Sequence, residues 1–157
     1  MSAHDVKPEQ QTERLAMLIA RKHQGLAQLH ELGRLQFQLI ENEAINDLLR
    51  LLSGKQRILA MLAEVERDLD AFRDQAPEAR HWPSEAERKA CAALSDDCRR
   101  LLAEIVEQEK TSEQQMIIFR NQAGAQLEGT HAANAARGAY TDNGPQPCSQ
   151  LDLLSHS

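Results

Sequence analysis

Prolines decide where long helices can run in this chain. They stand at Pro8, Pro77, Pro83, Pro145 and Pro147 and leave two proline-free runs, 9–76 and 84–144. An interior proline costs a helix about 3 kcal/mol, so an unbroken helix must fit inside one of these runs. Within both runs apolar residues recur at spacings of three and four, the signature of one helical face. Leu15, Leu18, Ile19, Leu26, Leu29, Leu32, Leu39 and Ile40 form a first stripe. Leu48, Leu51, Leu52, Ile58, Leu59, Leu62, Val65, Leu69 and Phe72 form a second. Between them lies ENEAIN, residues 41–46, with neither Gly nor Pro. A joint that short makes the two helices antiparallel neighbours. Asn42 or Asn46 is the expected cap of the second helix. With roughly 30 residues in each arm, the hairpin is ~45 Å long at 1.5 Å per residue. Lys22 and Lys55 fall on the seams, where a lysine carries its head to water and helps fix register.

The connector APEARHWPSEAER follows. It closes on a capping box, Ser84 with Glu87 three residues later, which starts a third helix close to Ser84. The third stripe is Cys91, Leu94, Cys98, Leu101, Leu102, Ile105 and Val106. Nine polar residues come next, EQEKTSEQQ at 107–115, and then MIIF at 116–119. A helix cannot turn four successive side chains to one neighbour, because they stand about 100° apart. The third helix, ending near Gly129 or Gly138, outruns the hairpin, so its C-terminal part is expected to overhang. Three sections result: a disordered N-terminus over 1–11, a helical bundle over 12–138 and a flexible tail over 139–157. The fold class is all-α, an antiparallel hairpin with a long third helix in a coiled-coil-like bundle. Leu151, Leu153 and Leu154 make a candidate docking motif; the alternative is a tail that does nothing.

Composition agrees and narrows the functions. Aromatic residues are only 3%, too few for an ordinary sandwich or α/β core, while Leu, Ala, Glu, Gln and Arg favour helix. A net charge of -6 argues against nucleic acid and anionic membrane as main partners. No run of eighteen apolar residues offers a membrane span, and the polar MSAHDVKPEQQTER lacks the apolar core of a secretory signal. A cytoplasmic location is expected. Cys91 and Cys98, two turns apart on one helix, are roughly 10 Å apart and too far for a disulfide. Both read as small core residues, and Cys148 as an exposed thiol in the tail.

Chemistry is sparse. Glu78/His81 and Glu128/His131 match the E-x-x-H spacing of di-iron bundles. The first lies between two prolines and the second beside Gly129, so no metal and no cofactor are expected. No phosphate loop, H-E-x-x-H or G-x-S-x-G occurs, and no catalytic residue is expected.

The stretch LIARKHQGLAQLHELGRLQFQLIENEAINDLLRLLSGKQRILAML, Leu18 to Leu62, resembles the FlgN family of flagellar export chaperones. LLRLLSGKQRIL, Leu48 to Leu59, has the form common in that family's second helix. ARHWPSEAERKAC, LLAEIVEQEKTSEQQM and a Gly/Ala/Tyr tail extend the resemblance over roughly residues 12–142. It implies a cytoplasmic, non-enzymatic chaperone of hook-filament junction proteins. Such a chaperone binds their C-terminal helices and delivers them to the type III export gate. The client is held by the C-terminal helical part. Met116, Ile117, Phe119, Ala123 and Leu127 are then the candidate client contacts, and Tyr140 matches a tyrosine linked to the gate. Alternatively, 116–119 is the core of a homodimer and Tyr140 an ordinary loop residue, as in a coiled-coil adaptor that homo-oligomerises. An enzyme is the third reading.

Overall fold

The computed structural model describes residues 8–141 along the backbone and side chains over 10–138. Three helices account for nearly all of it: α1, Pro8–Glu41; α2, Ile45–Arg73; and α3, Glu85–Thr141. A 3-10 turn, Pro77–Ala79, interrupts the connector. Among the described residues there is no strand. The chain divides into two units, Met1–Lys110 and Thr111–Ser157, and the boundary falls inside the polar run of α3.

α1 starts earlier than the N-terminal expectation for 1–11 allows. Pro8 takes its first position, where a proline loses no helical hydrogen bond and its fixed φ suits the helix. The far end also shifts. α3 passes through both Gly129 and Gly138 and runs to Thr141, so the first three residues of the expected tail are helical.

The joint turns without glycine because Glu43 adopts the left-handed conformation, φ 56°. Its N–H donates to the Ile40 carbonyl at 3.1 Å, and the Ala44 N–H donates to the Leu39 carbonyl at 3.0 Å. These are the two bonds of a Schellman motif. Neither Asn42 nor Asn46 caps α2. Ala44 holds that position and makes no side-chain bond. At α3 the expectation holds: the Glu87 N–H donates to Ser84 Oγ at 3.2 Å.

Two clusters make the core of Met1–Lys110. Leu15, Leu18, Val65, Leu69 and Phe72 pack at the connector end, with Trp82 laid against them. Leu26, Leu29, Leu62, Cys98, Leu101 and Ile105 form the other, with Ile58 and Met61. Burying each large aliphatic chain contributes about 1.5–3 kcal/mol. α1 and α2 approach closely at Gly25, where an added Cβ would stand 2.8 Å from side-chain carbons of both Met61 and Leu62. The connector is stitched down by polar bonds. Buried Thr12 donates to the His81 carbonyl at 2.9 Å, and Arg80 donates to the Phe72 carbonyl at 2.9 Å.

The buried stripes are narrower than the sequence stripes. Leu52, Leu59, Leu102 and Val106 are all exposed. The packed part also reaches into the polar run. Gln108 donates to the His30 carbonyl at 3.0 Å, and Glu109 accepts from Lys55. Lys22 behaves as a snorkelling lysine, 2.7 Å from Glu66. Lys55 does not: it is buried, and its Nζ also donates to the buried Gln36 Oε1 at 2.7 Å.

Candidate functional site

The second unit carries the residues expected to meet a client. The MIIF quartet divides as helical geometry requires. Met116 and Phe119 are half-buried, as are Ala123 and Leu127. Spacings of three, four and four place these four on one face of α3. Ile117 and Ile118 fall on other faces and are 43% and 57% exposed. Four of the five candidate client residues thus share a stripe, and Ile117 stands off it. Ser112, inside the polar run, is buried, which its polarity does not foretell. A Cβ added at Gly124 or Gly129 would meet nothing within 4 Å, so α3 carries open surface there.

Tyr140 belongs to α3, in its last turn, and not to a loop. Leu151, Leu153, Leu154 and Cys148 lie outside the described residues.

Several titratable groups of Met1–Lys110 pair across helices. His23 lies 2.6 Å from Asp97 and His30 lies 3.4 Å from Glu104, and both pairs tie α1 to α3. Asp97 is held below the ordinary carboxylate value by hydrogen bonding from Arg100 and then from His23. Burial pushes the Glu66 carboxyl up, but bonding and charge from Lys22 and Arg73 together outweigh it, and its pKa is lowered. Both buried thiols are pushed up by desolvation, against nearby positive charge from Arg80 at Cys91 and from Lys22 at Cys98. A thiol in that state is a poor nucleophile. Arg80, Trp82, Arg88 and Arg99 line a cleft with Leu15, Ile19 and Cys91, where Arg88 pairs with Glu85 and Arg99 with Asp96. Among the described residues, no three His, Cys, Asp or Glu side chains come together as a metal site.

Two features escaped the sequence reading. The polar layer of Gln36, Lys55 and Glu109 had a signal in Gln36, which sits on the stripe of α1 at the spacing Leu29, Gly33, Gln36, Ile40. The exposed apolar rows had one too, because Ile45, Leu49, Leu52 and Leu59 repeat at four, three and seven.

No family model, no curated protein and no solved structure matches this chain.

Proposed function

We propose that the chain is a cytoplasmic flagellar export chaperone that binds the C-terminal helices of hook-filament junction proteins and delivers them to the type III export gate. One observation carries the reading: a half-buried stripe of Met116, Phe119, Ala123 and Leu127 on a helix that also exposes Ile117 and Ile118. An amphipathic helix laid on such a surface gains burial for its own apolar face, the helix-in-groove mode of recognition. Two further facts support it. No helix among the described residues is long and apolar enough to cross a membrane. The buried cysteines and paired histidines offer structure rather than chemistry. The gate contact is assigned to Tyr140, at the end of the same helix.

The test is binding of the full chain to a labelled C-terminal helix of a hook-filament junction protein. Phe119→Ala costs about 1–3 kcal/mol if the ring is an anchor. Tyr140→Ala leaves that affinity unchanged and lowers secretion in cells. Unaltered binding by a Met116→Ala/Phe119→Ala chain removes the client from this surface. A sedimenting homodimer dispersed by the same pair assigns the stripe to self-association, and the coiled-coil adaptor takes the place of the chaperone.

A further inference from the structure

The connector and the first turns of α3 enclose a cleft against α1. Leu15 and Ile19 of α1, Trp82 of the connector and Ala92 of α3 give it an apolar floor. Trp82 is held in place because it packs on the core cluster that contains Leu15. The cleft holds about 240 Å3. A dry cavity of about 150 Å3 already admits benzene, and drug-sized sites start at about 300 Å3. The space therefore suits one ring or one branched aliphatic group with a small polar head.

Arg80, Arg88 and Arg99 stand in the wall of this cleft, and Asp96 is the one carboxylate that lines it. Asp96 is taken by Arg99 at 2.7 Å, and Arg88 is taken by Glu85. Arg80 is the cation left over. Its one acceptor among the described residues is the Phe72 carbonyl, at 2.9 Å, and its Nε is buried with none. Glu78 and Glu87 stand close by in sequence but neither lines the cleft nor pairs with Arg80. The Arg80 side chain is half-buried, so water screens its charge only in part. A buried cation without an anion is costly, and the planar guanidinium fork fits a carboxylate through two parallel N–H bonds. We propose that this cleft binds a small apolar carboxylate, its acid group on Arg80 and its hydrocarbon body on Leu15, Ile19 and Trp82. Such an acid is free in solution or is the last residue of a peptide; both carry a carboxylate beside one apolar group. On its other side Arg80 borders a smaller cavity of about 160 Å3 with Gln11, Gln75 and His81, which Trp82 does not line. The proposed site lies wholly within Met1–Lys110, separate from the stripe at 116–127 assigned to the client.

Trp82 is the chain's only tryptophan, so its fluorescence reports the cleft directly. The probes are N-acetyl-leucine and N-acetyl-leucinamide, alike except for the charge, titrated into the full chain at low salt. The acid should change the emission saturably and bind at least about tenfold tighter than the amide, a preference that salt reduces. Arg80→Gln should remove that preference. Ala92→Glu, at an exposed position, brings a carboxylate to the cleft and should weaken the acid at least about tenfold. Ala92→Gln, of matching size, should weaken it far less, and Phe119→Ala should leave it unchanged. If Arg80→Gln loses the helical circular dichroism spectrum, the two Ala92 variants decide. A short peptide ending in leucine separates the two sources. Binding tighter than N-acetyl-leucine, and lost when its terminus is amidated, assigns the cleft to chain ends; weaker binding assigns it to free acids. No saturable change, or equal binding of acid and amide, overturns the proposal. Acid binding untouched by Ala92→Glu also overturns it, by placing the acid in the cavity beyond Arg80.

Discussion

Lys55 is buried in an apolar seam, and two acceptors from two other helices hold it there: Gln36 of α1 and Glu109 of α3. An ammonium out of water is costly unless it is paired and hydrogen-bonded, so this layer allows only the register that brings all three together. Glu109 is half exposed and can turn to water if Lys55 is lost. Gln36 is buried and cannot. Lys55→Met, close in volume, should therefore cost about 1–3 kcal/mol, the penalty of an orphaned buried acceptor. Adding Gln36→Leu should recover most of that loss, as read from urea denaturation of the two singles and the double. Recovery of nothing would mean that the ammonium itself, and not the stranded amide, sets the cost. Lysine at a stripe position was legible as a register device, but its burial was not. Burial depended on Gln36 and Glu109 arriving from sequence positions 19 and 54 residues away.

At the level of elements, the long arms were legible because proline placement and apolar spacing act locally. The joint was not. Its turn depends on Glu43 in a conformation that asparagine or glycine adopts more readily, so no residue type announced it. Glu43→Gly should raise stability by about 1 kcal/mol, since glycine reaches the left-handed region without a Cβ clash. Other glycines discriminate between packing and propensity. Gly54 has nothing within 4 Å of a built Cβ, and Gly54→Ala should stabilise α2 by up to about 1 kcal/mol. Gly25 faces Met61 and Leu62 at 2.8 Å, and Gly25→Ala should cost about 1–3 kcal/mol by forcing α1 and α2 apart. Thermal unfolding of the three variants checks the ranking. A stabilising Gly25→Ala would mean that the two side chains move aside without loss. The same reasoning explains why the core stripes were drawn too wide. Leu52 and Leu59 fit a stripe by spacing alone, and only the placement of α3 decides which edge of α2 stays wet.

Across the whole molecule, the ties between helices predict acid sensitivity. Glu66 and Asp97 both titrate below their ordinary values of 4.5 and 3.8 in the fold. A depressed carboxylate contributes stability that is present above its unfolded value and lost as pH falls through the folded one. The melting temperature should fall as pH drops below the ordinary carboxylate range, and the gap between wild type and Glu66→Gln should close as pH falls on through the lowered value of Glu66. A gap that persists there would assign the effect of Glu66 to packing. Division into two units leads to the last prediction. Both core clusters use residues no later than Ile105, and the Lys55 layer ends at Glu109. A chain ending at Lys110 keeps all of these contacts, and its terminal lysine suits the negative end of a helix. It should retain a cooperative thermal transition and the helical far-ultraviolet spectrum of α1, α2 and the first part of α3. Ser112 and the stripe from Met116 to Leu127 are removed, so binding of a client helix should vanish. Loss of the cooperative transition would place Ser112, Met116 and Phe119 in the folding core. The stripe would then be a structural seam, with its half-burial needed by the fold rather than kept for a partner.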